Sequence, residues 1–171
     1  MFPITLPIDD MYRLARRPEF VAAVEALYAD LDARIAARRP LCVNRGACCQ
    51  FESFGHRLFV TPVELAYFVA RSDRAIEEPQ SAAACPYQIG GLCTVRPARP
   101  TGCRIFFCDV AAQHWQPDQT EATLREIRAL HARFDLPYAY IEWLEALKQL
   151  AHGARASAPA RTNAELLGLE R

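Results

Sequence analysis

The segment Cys85-Pro-Tyr-Gln-Ile-Gly-Gly-Leu-Cys93-Thr-Val-Arg-Pro-Ala-Arg-Pro-Thr-Gly-Cys103-Arg-Ile-Phe-Phe-Cys108 decides how the fold is built. It contains three prolines and three glycines within 24 residues. Proline removes a backbone donor and glycine favours turns, so this segment cannot be one long helix or strand. Backbone hydrogen bonds alone therefore cannot order it, and bound metal is the obvious second source of order.

All seven cysteines of the chain lie between residues 42 and 108, at Cys42, Cys48, Cys49, Cys85, Cys93, Cys103 and Cys108. An odd number fits poorly with a closed set of disulfides. The first ten residues lack the basic start and apolar run of a secretory signal, and no apolar stretch approaches the ~20 residues that cross a bilayer. We therefore expect a cytoplasmic protein with reduced thiols, where clustered cysteines more often bind metal or do chemistry.

The cysteine spacing narrows the kind of site. Thiolates are soft ligands that favour zinc, cuprous copper and iron–sulfur clusters. No Cys-x2-Cys pair occurs in the chain, which counts against a zinc finger or zinc ribbon. Four thiolates complete a tetrahedral zinc site or a four-iron cluster, so seven exceed one such site. Either some of the thiols do not bind metal directly, or more than one metal is bound.

Two interpretations without metal stay open. Free cysteine is often buried as a small apolar side chain, which accounts for one or two of the seven. A redox disulfide is the other interpretation, with Cys48–Cys49 or Cys103–Cys108 as the candidate pair.

Charged residues beside the cysteines are candidates for supporting roles. Arg99 and Arg104, together with Arg96, place positive charge near the thiolates, which would lower thiol pKa values and could also bind an anion. Asp109 follows Cys108 directly and is a candidate oxygen ligand or hydrogen-bond acceptor beside the metal.

Other candidates are less specific. Histidine is a common metal ligand but also a common surface residue, so His56 and His114, the two nearest the cysteines, rank above His131 and His152. Glu52 and Glu64 are candidate carboxylate ligands for iron without sulfide, although Glu64 also fits a helix capping box. Five phenylalanines near the cysteines would shield a cluster from solvent or form ordinary core: Phe51, Phe54, Phe59, Phe106 and Phe107.

Helical periodicity frames this irregular centre on both sides. Apolar residues recur at three- and four-residue steps over 18–39 and again over 118–134, which predicts amphipathic helices there. The Thr61-Pro-Val-Glu64 sequence predicts a helix start, with the helix running to about residue 70 and a short strand over 56–60 before it. A last helix is predicted from Pro137, with Gly153 just past its end.

The predicted fold class is therefore mainly α. We expect a single small domain over residues 1–153, in which the helices frame an irregular, cysteine-rich, metal-binding centre at 41–108 with one short strand or hairpin. Residues 154–171 are mostly small and polar, and we predict a flexible tail there.

The charge balance bears on the partner. Lysine plus arginine equals aspartate plus glutamate at 20 each, so no global basic field attracts nucleic acid. The composition therefore argues against nucleic-acid and membrane partners, and it leaves a protein partner or protein substrate open.

The cysteine motifs resemble those of the YkgJ-like cysteine-cluster proteins, a family described as zinc- or iron-chelating. Its first motif is C-x2-C-x2-C-C, and this chain has Cys42-Val-Asn-Arg-Gly-Ala-Cys48-Cys49, with Arg45 in place of the second cysteine. Its second motif is similar to Cys85-Pro86, then Cys93, then Arg99-Pro-Thr-Gly-Cys103-Arg104. Arg96 stands where the family often has an aromatic residue, and Cys108 is additional. We hypothesise that Cys108 folds back into the place left by Arg45.

The resemblance implies metal binding more firmly than a reaction. Related cysteine clusters occur in the flagellin lysine-N-methylases, which suggests that some members modify proteins, but this chain lacks a Gly-rich turn after a strand. We predict an iron–sulfur cluster, most simply 4Fe-4S, on the cysteine thiolates. The alternatives are a structural Zn²⁺ module for protein interaction and a cluster-dependent, methylase-like enzyme.

Overall fold

The computed structural model describes residues 4–42 and 46–157, with side chains up to residue 153. The described chain is mainly helical, as predicted. The helices are α1 (Ile8–Ala15), α2 (Pro18–Arg38), α3 (Pro62–Arg71), α4 (Thr101–Ile105), α5 (Gln116–Arg133) and α6 (Trp143–Ser157). The strands are β1 (Phe59–Val60), β2 (Gln88–Ile89), β3 (Leu92–Cys93) and β4 (Ile141–Glu142).

Two small antiparallel sheets join distant parts of the chain. Strand β1 pairs with β4, with Val60 opposite Ile141, and β2 pairs with β3 in a hairpin whose turn is Gly90-Gly91. Both glycines have positive φ, at 59° and 80°, a conformation that glycine adopts without steric cost. The hairpin brings Cys93 back towards the preceding cysteine segment.

Helix α3 begins as its sequence predicts. Proline occupies its first turn, Thr61 is the N-cap, and Glu64 completes a capping box with it. One Glu64 carboxylate oxygen accepts from the Thr61 backbone N–H at 2.8 Å, and the other accepts from the Thr101 N–H at 2.8 Å. Glu64 therefore ties the start of α3 to the start of α4, the short helix that carries Cys103.

Three local predictions differ from the structure. Helix α1 was not expected, because the early residues show no long apolar period; packing against α3 stabilises it. The last helix begins at Trp143 rather than Pro137, since Ile141–Glu142 is held extended by pairing with β1. It also continues through Gly153 to Ser157, and a Cβ at Gly153 would collide with Ile8 of α1. Glycine is thus required there by close helix packing rather than by a helix end.

The hydrophobic core reaches the cysteine segment through a set of aromatic rings. Phe68 of α3 makes edge-to-face contacts with Tyr87 and Trp143, with centroids 5.1 Å apart in both pairs. Cys85, Cys93 and Cys103 are partly buried and pack against this core. None of the helices in the described ranges is both long and apolar enough to cross a membrane. Of the predicted 154–171 tail, residues 154–157 continue α6 and the remainder lies outside the described residues.

Candidate metal centre

A cavity of about 280 Å³ collects most of the cysteines, and we call it the cysteine cavity. Six of the seven line it: Cys42, Cys48, Cys49, Cys93, Cys103 and Cys108. The remaining lining comes from Leu41, Gly46, Ala47, Arg96, Arg99, Phe106, Phe107 and Asp109. Thiols that are up to 66 residues apart in sequence (42 to 108) therefore face one space.

Three short elements place the inner thiols. Cys48 and Cys49 lie in a 3-10 turn, Ala47–Cys49, directly after Gly46. Cys93 ends strand β3, and Cys103 lies in α4. Each of these elements is only two to five residues long. The second cysteine segment, 85–108, is thus divided into short elements by its prolines and glycines, as the sequence predicts.

Gly46 is where the first cysteine segment meets the hairpin. Its carbonyl accepts a hydrogen bond of 2.7 Å from the Gln88 side-chain amide, and its φ is +70°. A Cβ at this position would collide with that amide and with the Gly91 carbonyl oxygen. Only glycine therefore allows the turn carrying Cys48 to lie against the hairpin carrying Cys93.

Cys85 lies behind the cavity rather than in its lining. Its backbone N–H donates to the Cys49 carbonyl at 2.8 Å, and its sulfur accepts from the Trp143 indole N–H at 3.4 Å. A hydrogen bond from the Cys49 thiol lowers the pKa of Cys85, and the indole bond acts in the same direction. The single proton of the Cys49 thiol is shared between the sulfurs of Cys48 and Cys85, which raises the pKa of Cys49.

The inner thiols differ in how readily they ionise. The hydrogen bond from Cys49 lowers the pKa of Cys48 to about 6, and the charges of Arg99 and His56 add to this. Burial raises the pKa of Cys93 and, more strongly, that of Cys103. A thiolate therefore forms more readily at Cys48 than at Cys103.

The predicted arginines separate into two groups. Arg96 and Arg99 line the cavity, and Arg99 donates to the carbonyl oxygens of Arg96 at 3.1 Å and Cys103 at 3.2 Å. Burial lowers the pKa of Arg99. Arg104 does not line the cavity: its guanidinium bonds the Asp32 carboxylate at 2.7 Å and lies 4.0 Å from the centre of the Tyr28 ring. It connects α4 to α2.

Asp109 closes the rim of the cavity. Its carboxylate accepts from the Leu41 backbone N–H at 3.1 Å and from the Ala111 N–H at 2.9 Å, and these bonds lower its pKa. The residues next to this link, Cys42 and Cys108, are both exposed and both line the cavity. Cys108 thus shares the space of the inner thiols, while the Arg45 position that it was expected to replace lies outside the described residues.

The histidine and glutamate candidates do not line the cysteine cavity, whereas two of the five phenylalanines do. His56 Nε2 donates to the Cys48 carbonyl oxygen at 3.2 Å, His131 Nδ1 donates to the Leu136 carbonyl oxygen at 2.8 Å, and His152 lies near Glu78. His114 and Glu52 are exposed and line no part of it. Of the phenylalanines, Phe106 and Phe107 line the cavity, Phe51 is core, and Phe54 and Phe59 are exposed.

The positions of the thiols do not outline a site for a single ion. Within residues 4–42 and 46–157, no three histidine, cysteine, aspartate or glutamate side chains converge closely enough to hold a metal ion as they stand. The donor chemistry, six thiols facing one space, nevertheless suits a soft metal or a cluster.

Two contributors to the site were missed from sequence. Nothing in the local pattern around Trp143 indicates its bond to Cys85. Glycine at position 46 is typical of a turn, but its contact with the hairpin depends on residues about 45 positions later. Comparison of the chain with protein-family models, with curated proteins and with solved structures found no match in any of the three.

Proposed function

We propose that this protein binds an iron–sulfur cluster on thiolates of the cysteine cavity. The observation that carries the proposal is the arrangement of six cysteines, from four separate segments, around one cavity of about 280 Å³. Buried free cysteine used as a small apolar side chain accounts for one or two such residues, but not for six that face the same space.

The number of thiols around the cavity, together with the lack of a Cys-x2-Cys pair, favours a cluster over a single zinc ion. A tetrahedral zinc ion with Zn–S bonds of about 2.3 Å needs its four sulfurs within about 4 Å of one another. A four-iron cluster bonds each thiolate to a different iron, so its ligands stand further apart. Six thiols around one cavity of about 280 Å³ supply more than the four ligands that such a cluster needs.

Burial suggests which thiols hold the cluster. Cys48, Cys49, Cys93 and Cys103 are buried or half-buried, whereas Cys42 and Cys108 are exposed at the rim. Four inner thiolates complete the ligand set of a 4Fe-4S cluster. Arg96 and Arg99 offset its negative charge, and Phe106 and Phe107 shield it from water. Cys85 supports the site through its hydrogen bonds to Cys49 and Trp143.

The first experiment is iron, zinc and acid-labile sulfide analysis with an absorption spectrum, on protein purified without oxygen. We expect about four irons and four sulfides per chain and a broad visible band. Stoichiometric zinc in a colourless protein would replace the cluster with the structural zinc alternative. A metal-free protein with a disulfide would leave the redox interpretation.

Single cysteine-to-serine variants test the ligand set. Cys93→Ser and Cys103→Ser should lose most of the iron, because each removes one of the four proposed ligands. Cys85→Ser is the matched control: it removes a thiol from the same region but outside the cavity lining, so it should keep the iron with a shifted spectrum. Equal iron loss in all three variants would contradict the assignment.

A cluster-dependent enzyme is the second candidate. It is favoured by Arg96 and Arg99, which put two cations at the same cavity as the thiols, where they would serve an anionic substrate as well as the cluster. Iron that binds cyanide or citrate, measured by a shift of the cluster's spectrum, would show the open coordination position that this alternative needs.

A further inference from the structure

A second cavity of about 190 Å³ adjoins the cysteine cavity, and we call it the aromatic cavity. Cys48, Cys103 and Phe106 line both, so one layer of side chains separates the two spaces. The rest of its lining comes from α4, α5, the segment that leads into β1 and the segment before β4, and it includes His56, Arg57, Phe59 and Tyr140.

Two pairs of stacked rings form part of its walls. The His56 ring lies parallel to Phe106, with centroids 5.3 Å apart and an interplanar angle of 15°. Phe59 stacks on Tyr140 at 5.3 Å and 23°. Phe59, Phe106 and Tyr140 are 39%, 40% and 43% exposed, which is unusual for three aromatic side chains around one small cavity. Neighbouring exposed apolar side chains mark interaction sites, and ring faces favour a flat partner.

The charge of the lining is one-sided. Arg57 is exposed and has no hydrogen-bond or ion-pair partner among the residues that the structure describes. No aspartate or glutamate belongs to the lining of this cavity. An arginine guanidinium binds a carboxylate through two parallel hydrogen bonds, so an anionic group on a ligand would meet the cation there.

We propose that the aromatic cavity binds a small aromatic carboxylate, with its ring among the exposed aromatic side chains and its carboxylate on Arg57. At about 190 Å³ the cavity is small and suits a ligand with a single ring. The inference that a ligand bound here is a substrate rests on the proposed function, because the wall shared by the two cavities contains two proposed cluster ligands, Cys48 and Cys103. The binding itself does not depend on the cluster.

Ligand-observed NMR titration with benzoate tests the proposal. Two probes separate its parts: cyclohexanecarboxylate keeps the charge without the aromatic ring, and benzamide keeps the ring without the charge. We expect saturable binding of benzoate and at least about tenfold weaker binding of both other probes. Equal binding of all three, or no saturable binding of benzoate, would overturn the proposal.

Variants locate the binding. Arg57→Gln should weaken benzoate binding about tenfold, and Phe59→Leu several-fold. Arg128→Gln is the control, because Arg128 is an exposed arginine beside an aromatic ring, that of Tyr138, and lines a different part of the surface. Unchanged affinity in Arg57→Gln, or a loss in Arg128→Gln as large as in Arg57→Gln, would place the binding elsewhere and refute the proposal.

The two proposals fail in distinguishable ways. Benzoate bound by a protein without iron or sulfide would uphold the aromatic cavity and remove the cluster. Iron and sulfide in a protein that does not bind benzoate would uphold the cluster and remove the aromatic cavity. If both hold, benzoate should shift the visible absorption of the cluster in wild type and much less in Arg57→Gln.

Discussion

Replacing Glu64 by alanine should destabilise this fold more than its position near a helix start suggests. Glu64 is 2% exposed, and its two carboxylate oxygens each accept a buried backbone N–H, from Thr61 and Thr101, at 2.8 Å. The Thr101 bond holds the start of α4, two residues before Cys103. Alanine would leave both donors buried without a partner.

The size of the loss follows from those two bonds. A buried donor without its partner costs about 1–3 kcal/mol, so two cost about 2–6 kcal/mol. Burial raises the pKa of Glu64 because it destabilises the charged carboxylate. Removing the carboxylate removes this unfavourable burial energy, which offsets part of the loss from the two hydrogen bonds. We expect about 3 kcal/mol for Glu64→Ala, which corresponds to a fall in Tm of roughly 6–12 °C in a chain of this size.

Urea denaturation of the metal-free protein, followed by circular dichroism, measures the change. Glu145→Ala is the control, because Glu145 is half exposed and pairs only loosely with Lys148 at 3.9 Å; it should change stability by less than about 0.5 kcal/mol. Amide exchange at Thr101 should accelerate in Glu64→Ala. A destabilisation below about 1 kcal/mol, with Thr101 still protected, would refute the reasoning.

Three other perturbations have directions set by the structure. The pKa of Glu64 in the folded state is raised above its usual value near 4.5, so the folded state holds this proton more tightly than the unfolded chain does. The free energy of unfolding should therefore fall as pH rises from about 4.5 through the folded pKa. Urea midpoints measured across that range should show this slope in wild type and lack it in Glu64→Gln. Arg104→Met should cost about 3 kcal/mol in the same assay, since it removes a buried guanidinium bonded at 2.7 Å to Asp32, and a loss under 1 kcal/mol would count against this role. Gly46→Ala should lower iron content in reconstituted protein while most of the helix signal remains, because the added Cβ would collide with Gly91; normal iron content would show that the turn adapts.

Local interactions made much of the fold predictable. The helix at Pro18–Arg38 follows from its apolar period, and the start of α3 follows from Thr61 and Glu64, which bond within three residues of each other. The irregular course of the second cysteine segment follows from its prolines and glycines. Where the outcome depended on a distant strand, local patterns failed: Ile141–Glu142 pairs with β1 across about 80 residues, and the predicted helix start at Pro137 is wrong.

The candidate site divides in the same way. The sequence by itself determined that the seven thiols lie in two irregular segments on either side of a helix, because these are properties of composition and of bonds within a few residues. Only the tertiary structure decided that Cys85 lies behind Cys49, that Arg104 turns to Asp32, and that a second cavity shares the wall formed by Cys48 and Cys103. Side-chain direction at these positions is set by contacts between segments tens of residues apart, and packing rather than local periodicity selects among them.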